Sequence, residues 1–457
     1  MSELFYTKKH VSDLLSDEEK KVSDAYCEDY KDFLNHAKDE REAVCTAIAL
    51  AEAKGFRPYI AGDPIAPGDK LYRSVRGKSL FLAVVGKAPL SMGANIAAAH
   101  VDSPRLDLKQ IPLYEDNGMA MFKTHYYGGV KKFQWVTIPL ALHGVVVKMD
   151  GTVVPVAIGE EENDPIFVIT DLLPHLGKDQ AKKTLGEAFS GENLNLTISS
   201  LPSGGEEDKD RFKLTVLNYL KEHYDISEED FLSAELHAVP AYKAKDVGFD
   251  RSMIASYGHD DRSCAYAELR AILDINGPEK TAVCVLADKE EVGSDGVSGM
   301  QSSAFETFME DLCDSQNCKL RHCLEKSFCL SADVCNAFDP NYPEVSEKRN
   351  AAEFNKGMGI LKFTGHGGKS GSSDASAEIV AKLRGLFAKA GVIWQMAELG
   401  KVDQGGGGTV AKYMANRNID TIDAGVPVLS MHAPYELVAK YDCYMTYKGV
   451  KAIYDEK

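Results

Sequence analysis

Five continuous apolar runs, separated by stretches of helical periodicity, constrain the fold of this 457-residue chain more than any other feature. Apolar runs without polar alternation are typical of strands that are buried on both faces of a sheet. Strands that alternate with helices indicate a mostly parallel sheet with helices on both faces. The sequence therefore predicts an α/β fold built on a mixed, mostly parallel sheet. The predicted strands are 80–85, 95–99, 281–286, 327–332 and 426–431, and the predicted helices are 11–55, 263–273, 303–323 and 376–390.

The middle of the chain has a different character, because short β-like runs replace the α/β alternation. Asp150-Gly151 lies between two of these runs and is a strong hairpin signal. We therefore predict a discontinuous α/β domain, 1–104 and 247–457, that is interrupted by an inserted β-rich domain, 105–246. The β-like runs of the predicted insert are 136–142, 144–148, 153–158 and 193–198, and a helix is expected at 211–223.

Composition and charge exclude several classes of protein. The net charge of -17 would repel nucleic acid and anionic membranes on average. No apolar run approaches the ~20 residues of a membrane span, and residues 1–8 lack the apolar core of a signal peptide. The ten cysteines include no C-x-x-C pair, which indicates reduced thiols in a cytoplasmic protein. A zinc knuckle formed by Cys313, Cys318, Cys323 and Cys329 is the alternative interpretation.

Histidine and carboxylate side chains occur at the ends of several predicted elements. In open α/β sheets, ligands bind at the carboxyl ends of the strands, so side chains from several strand ends can meet at one edge. A set of imidazoles and carboxylates without a thiolate suits zinc, manganese or cobalt in a catalytic site. The candidates are His100, Asp102, Asp260, Asp261, Glu290, Glu291, Asp333 and His432.

Each candidate also has an ordinary structural explanation when it is taken alone. Glu290 and Glu291 could form a solvated acidic turn, and His100 or His432 could be a core or surface histidine. Asp260 could cap the helix that follows it. It is the occurrence of all the candidates at element ends that indicates a metal centre.

Short motifs surround these candidates along most of the chain, from about residue 95 to residue 440. They are His100-Val101-Asp102-Ser103-Pro104, Tyr126-Tyr127-Gly128-Gly129, His259-Asp260-Asp261-Arg262, Lys289-Glu290-Glu291-Val292-Gly293-Ser294, Ser331-Ala332-Asp333 through Asp339-Pro340-Asn341-Tyr342-Pro343, and Met431-His432. Together they resemble the motifs of the M18 metallo-aminopeptidases, the aspartyl aminopeptidase family of di-zinc exopeptidases. The resemblance implies an α/β fold of the zinc exopeptidase type, with the β-rich insert described above.

The resemblance also implies two divalent metal ions in each subunit, with zinc as the first choice and manganese or cobalt as alternatives. Asp102 would orient His100 through the free nitrogen of its ring. The implied ligands are Asp260 as a bridge between both ions, His100 and Asp333 for one ion, and Glu291 and His432 for the other.

Glu290 would act as the general base towards a water molecule shared by the two ions. Family members often have Leu-Asp-Asn where this chain has residues 259–261. The second aspartate, Asp261, therefore stays open as the alternative bridge. His259 is expected to be structural or exposed.

Other regions would surround the substrate in the family arrangement. Two glycine-rich loops, 365–371 and 405–409, would lie beside it, and they lack the spacing of a phosphate-binding loop. Lys369 would meet an acidic side chain, and Gly407 would line the site. The insert would form dimers that assemble into a dodecamer, and its His175 would reach the active site of a neighbouring subunit.

The sequence thus predicts a di-metal aminopeptidase that removes the N-terminal residue of peptides, with Asp or Glu as the expected preference. The first alternative is a related di-zinc amidohydrolase that deacylates N-acyl amino acids, which would need a pocket for a carboxylate instead of a free amine. The second alternative is a non-catalytic assembly protein, against which the complete set of candidate ligands argues.

Overall fold

The computed structural model describes residues 4–456, which form two compact units. The first unit runs to Asp102 and also includes Ala244–Met431 and the chain from Glu436. The second unit comprises Ser103–Lys243 and His432–Tyr435. Among the described residues, no helix has both the length and the apolar character that crossing a bilayer requires.

Several helices begin at a capping side chain. Before the first helix, the Ser16 hydroxyl accepts from the N–H of Glu19 at 3.2 Å, and the Glu19 carboxylate accepts from the N–H of Ser16 at 3.0 Å. The region predicted to be helical at 11–55 contains two helices, because Asp39 caps a second one, and the region predicted at 303–323 is also divided. The helices are α1 (Asp17–Asn35), α2 (Glu40–Ala53), α3 (Leu185–Ala188), α4 (Arg211–Tyr224), α5 (His259–Leu273), α6 (Ala304–Ser315), α7 (Leu320–Glu325), α8 (Ala377–Ala390), α9 (Ala411–Ala415) and α10 (Lys440–Tyr454).

The strands form one large sheet and three smaller ones. Within residues 4–456 they are β1 (Arg57–Pro58), β2 (Lys70–Val75), β3 (Ser79–Val84), β4 (Ala94–His100), β5 (Arg105–Asp116), β6 (Met119–Tyr127), β7 (Leu140–Val147), β8 (Val153–Ile158), β9 (Leu196–Ser199), β10 (Ala234–Pro240), β11 (Lys245–Val247), β12 (Met253–Ser256), β13 (Thr281–Ala287), β14 (Phe328–Ser331), β15 (Cys335–Asn336), β16 (Met358–Leu361), β17 (Gly365–His366), β18 (Trp394–Met396), β19 (Gly406–Gly407), β20 (Asp420–Gly425), β21 (Pro427–Leu429) and β22 (Glu436–Ala439). The nine-stranded sheet of the first unit has the order β1-β2-β3-β13-β4-β14-β20-β16-β18. Its central strands β13, β4, β14 and β20 are parallel, and β3 and β16 flank them in the antiparallel direction. The predicted mixed sheet is therefore confirmed.

Both faces of the nine-stranded sheet are buried, as its apolar runs predict. Along β13, Ala282, Cys284 and Leu286 pack into one hydrophobic cluster, and the alternate residues Val283 and Val285 pack into another. Helices α1, α2, α5 and α10 contribute to the first cluster, whereas α6 and α7 contribute to the second. Because alternate side chains of a strand point to opposite faces, helices cover the sheet on both sides.

The strand predicted at 426–431 belongs to a different sheet. Its regular part, β21, lies in a five-stranded sheet of order β11-β12-β22-β21-β15. The nine-stranded sheet instead contains β20, which the pattern of apolar runs does not predict because Thr421 and Asp423 interrupt it. His432 therefore follows a strand of the smaller sheet, and the prediction that strand 426–431 belongs to the main sheet is wrong.

The second unit contains a six-stranded antiparallel sheet of order β8-β7-β10-β5-β6-β9. Strands β7 and β8 form the hairpin that Asp150-Gly151 predicts. Helix α4 occupies the place of the helix expected at 211–223. The register of β10 places His237 opposite Asp107 of β5.

Candidate metal centre

A cluster of imidazole and carboxylate groups lies at the ends of the central strands of the first unit. Strand β4 ends at His100, and its parallel neighbour β14 ends two residues before Asp333, so the register brings both side chains to one edge. The Nε2 atom of His100 lies 3.2 Å from Oδ1 of Asp260 and 4.0 Å from Oδ1 of Asp333. It also lies 4.0 Å from Oε2 of Glu290. The structure thus brings together four of the predicted site residues.

Asp260 lies in the first turn of α5 without helical geometry. Its φ and ψ angles are -84° and 106°, and its peptide bond to Asp261 is cis. The main-chain N–H of Asp260 donates to Oε2 of Glu436 at 3.0 Å. No sequence motif points to Glu436, which reaches this position because β12 pairs with β22.

Glu290 and Glu291 form a tight turn just after β13. Lys289, with a φ angle of 67°, redirects the chain before the pair. Both main-chain N–H groups of the pair donate to the carboxylate of Asp102, at 3.1 Å from Glu290 and 3.2 Å from Glu291. Asp102 is fully buried, and its main-chain oxygen lies 3.0 Å from Nδ1 of His100. One aspartate therefore holds both the imidazole and the turn.

Two overlapping groups of three side chains have ligand atoms that all lie within 4.8 Å of one another. One group is His100, Asp260 and Glu291, and the other is His100, Asp261 and Asp333. Oδ1 of Asp261 is buried without a hydrogen-bond partner among residues 4–456, and a bound cation would satisfy it. Imidazole nitrogen with carboxylate oxygens is a donor set that zinc accepts. The residues present therefore fit a divalent cation. Asp260 belongs to one of the two groups, and Asp261 belongs to the other.

Buried charge dominates the electrostatics of this cluster. Burial raises the pKa of Asp333 well above its ordinary value, and the neighbouring carboxylate of Asp261 adds to the shift. Burial likewise raises the pKa of Asp261, with a further contribution from Asp260. Burial opposes protonation of His100, but hydrogen bonds to Asp102 and Asp260 outweigh it and raise the pKa of the imidazole. Bound cations would relieve the repulsion between these carboxylates.

The cysteines do not form a second metal site in the part of the chain that the structure describes. Both groups of potential ligands there contain His100, and neither contains a cysteine. All ten cysteines are free thiols, and Cys313, Cys323 and Cys329 belong to an apolar core cluster. The zinc-knuckle interpretation is therefore wrong.

Two predicted site residues lie in the second unit. His432 has a φ angle of 65°, and its Nδ1 atom lies 2.9 Å from the main-chain oxygen of Gly129. His175 lies in an exposed turn that is closed by a hydrogen bond of 3.0 Å from the N–H of Leu176 to the oxygen of Leu173. The imidazole of His175 is therefore accessible on its own unit.

The glycine-rich loops of the first unit pair with each other. Gly407 of β19 lies opposite Gly365 of β17 in a two-stranded sheet. The ammonium group of Lys369 lies 3.0 Å from Oδ2 of Asp374 and 4.1 Å from the ring centroid of Phe363. Lys369 is thus exposed but already engaged in an ion pair.

The chain is similar over almost its whole length to proteins of one family. A family model described as Aminopeptidase I zinc metalloprotease (M18) matches residues 33–454. A protein of Clostridium acetobutylicum, named probable M18 family aminopeptidase 1, is 50% identical over 452 residues, which cover 97% of each chain. The crystal structure of an M18 family aminopeptidase from Thermotoga maritima matches with a TM-score of 0.94 and 43% identity, and the match covers 99% of this chain and 100% of that one. An mApe1 dodecamer from S. cerevisiae shares the fold, with a TM-score of 0.77, 20% identity and coverage of 95% and 99%.

Proposed function

Because the chain belongs to the M18 family of zinc metallo-aminopeptidases, we propose that it hydrolyses the peptide bond after the N-terminal residue of peptides, with a preference for Asp or Glu at that position. The observation that carries this proposal is the cluster around His100, in which the Nε2 atom lies within 4.0 Å of oxygens of Asp260, Asp333 and Glu290. A buried imidazole among carboxylates supports a catalytic metal centre rather than a solvated acidic turn.

The proposed centre holds two divalent ions, with zinc as the first choice. When bound, such cations lower the pKa of a water molecule and polarise the carbonyl group of the substrate. The raised pKa values of the buried carboxylates support the need for positive charge at this place. The proposed ligands are Asp260 as the bridge, with Asp261 as its alternative, His100 and Asp333 for one ion, and Glu291 and His432 for the other.

Glu290 is the proposed general base. Its side chain is 17% exposed, whereas that of Asp102 is fully buried, so solvent can reach the carboxylate of Glu290 but not that of Asp102. It would accept a proton from the attacking water and pass it to the leaving amine. Because Asp102 already holds the main chain of Glu290, the base would need little rearrangement during the reaction.

Substrate preference is assigned to the glycine-rich loops. The ammonium group of Lys369 would pair with an acidic side chain of the substrate, and Gly407 would allow the substrate to approach the main chain. In the structure Lys369 pairs with Asp374, so a substrate carboxylate would have to displace Asp374 from this ion pair.

The family also suggests an assembly. We propose that residues 105–246 form the contacts of a homo-oligomer, in which dimers build a dodecamer, and that 1–104 and 247–457 form the catalytic domain. His175 would donate a hydrogen bond to the developing oxyanion in a neighbouring subunit. The exposure of His175 on its own unit supports this role.

Hydrolysis of a panel of aminoacyl chromogenic amides, after reconstitution with zinc, manganese or cobalt, tests the proposed function. We expect the Asp and Glu amides to be cleaved fastest and acetylation of the substrate amine to abolish cleavage. Faster cleavage of N-acyl amino acids than of free peptides would favour the amidohydrolase instead. Equal rates for Asp and Leu amides would contradict only the acidic preference.

A further inference from the structure

Both ring nitrogens of His259, the residue before Asp260, form hydrogen bonds. His259 is fully buried, with Nε2 at 3.1 Å from the main-chain oxygen of Ile254 and Nδ1 at 2.7 Å from the hydroxyl of Tyr30. A carbonyl oxygen can only accept, so Nε2 carries the proton and donates to Ile254. Nδ1 is then the acceptor, and the Tyr30 hydroxyl donates to it. The ring is neutral in this arrangement, in keeping with the burial that lowers the pKa of His259 to about 3.

The partners of this ring come from separate elements of the first unit. Tyr30 lies on α1, Ile254 lies on β12, and His259 begins α5. The main-chain N–H of the next residue, Asp260, donates to Glu436 of β22. The chain is therefore held on both sides of the peptide bond that leads into Asp260, although that residue lacks helical geometry.

We propose that Tyr30 is a positioning residue of the metal centre: through His259 it fixes the main chain at Asp260 and so prearranges that carboxylate for zinc. This inference rests on the proposed function, in which Asp260 is a ligand. A mobile carboxylate loses conformational freedom when it binds an ion, so a carboxylate that is already fixed binds more tightly. Loss of partners outside the coordination shell typically weakens metal binding about 10–100-fold.

Tyr26 offers a matched control on the same helix. It lies one turn before Tyr30, it is also buried, and both rings contact Tyr266, with centroid distances of 5.3 and 5.4 Å. The hydroxyl of Tyr26, however, has no hydrogen-bond partner within residues 4–456. Tyr26→Phe therefore removes the same atom from the same helix and leaves the hydrogen bond to His259 intact.

The test compares zinc dissociation constants of the full-length wild type, Tyr30→Phe and Tyr26→Phe, measured by competition with a chelator. The dissociation constants to compare are those of the zinc that Asp260→Ala loses. We expect about tenfold weaker zinc binding in Tyr30→Phe and no change in Tyr26→Phe. Equal zinc affinity in both variants would overturn the inference. If Asp260→Ala itself keeps full zinc affinity, the proposed assignment of Asp260 as a ligand fails instead, so the two failures are distinguishable.

A double variant separates positioning from general destabilisation. In Tyr30→Phe/His259→Leu both changed side chains are apolar, so neither leaves the polar atom of the other unpaired. We expect its thermal midpoint to lie above that of His259→Leu, while zinc binding stays about tenfold weaker than in the wild type. Recovery of zinc affinity together with stability would assign Tyr30 a purely structural role and overturn the inference.

Discussion

The carboxylate of Asp102 accepts a hydrogen bond of 3.1 Å from the main-chain N–H of Glu290, 188 residues further along the chain. Asp102 follows β4 and Glu290 follows β13, and these strands are parallel neighbours in the central sheet. The pairing of two distant strands therefore decides where the proposed general base lies.

Replacement of Asp102 by asparagine tests this relationship. The amide of Asp102→Asn keeps one acceptor oxygen, so the N–H of Glu290 or of Glu291 would face a donor. We expect turnover at saturating zinc to fall about 10–100-fold. The control is Asp116→Asn, at the exposed end of β5, which should keep wild-type turnover. Wild-type turnover in Asp102→Asn would contradict the positioning of the turn by Asp102.

Glu290→Gln should separate catalysis from metal binding. The amide keeps the shape of the side chain but cannot take up a proton at neutral pH, and loss of a general base typically costs about 10²–10⁴ in rate. We expect near-normal zinc content with turnover at least about a hundredfold lower. Glu291→Gln is the matched variant and should lose zinc. If Glu290→Gln loses zinc and Glu291→Gln keeps it, the two roles are exchanged.

Metal content of alanine variants tests the bridging ligand. If Asp260 bridges, Asp260→Ala removes a ligand from both ions at once, whereas Asp333→Ala or His432→Ala weakens one. We expect elemental analysis to show loss of both zinc ions from Asp260→Ala only. Loss of both ions from Asp261→Ala, with retention in Asp260→Ala, would move the bridge to Asp261.

Subunit mixing tests the proposed role of His175. A donor to a developing oxyanion is worth about 3 kcal/mol of transition-state stabilisation, so His175→Ala should be nearly inactive. When His175→Ala and Glu290→Gln are mixed under conditions that allow subunit exchange, some sites combine both intact residues, and activity should return. Mixed oligomers that form but stay inactive would show that His175 does not act on a neighbouring subunit.

Asp107 should make stability depend on pH in the acid range. Burial alone would raise the pKa of Asp107, but the Arg105 guanidinium and the hydrogen bond from His237 outweigh it and hold the pKa below its ordinary value. The stabilisation is therefore complete above the unfolded pKa of about 3.9, and it is lost as the pH falls from there towards the lower folded pKa.

The urea midpoint measures this dependence. Between about pH 5 and pH 3 we expect the midpoint of Asp107→Asn to fall less than that of the wild type. Asp116→Asn again serves as the control and should fall as steeply as the wild type. An equally steep fall in Asp107→Asn would show that the ion pair contributes no stability.

Local sequence determined the type of fold and most of its central elements. The apolar runs predict β3, β4, β13 and β14 to within one residue at each end, because a strand that is buried on both faces needs apolar residues without interruption. Local capping chemistry also accounts for the start of α1 after Ser16. Within the site, His100, Glu290 and Asp333 could be nominated from sequence, since each is a ligand or base type at the end of a predicted strand.

Only the tertiary structure decided which distant residues support the site. Glu436 binds the main chain of Asp260 across a sequence separation of 176 residues, and Tyr30 binds the ring of His259 across 229 residues. No local motif marks Glu436 or Tyr30. The apolar pattern does not predict β20, because this strand contains a buried aspartate. The carboxylate of Asp423 is satisfied there by hydrogen bonds that it accepts from Ser331 and Thr409. The physical reason is that periodicity records how each segment is buried, whereas strand register and helix packing depend on long-range contacts that no short stretch of sequence contains.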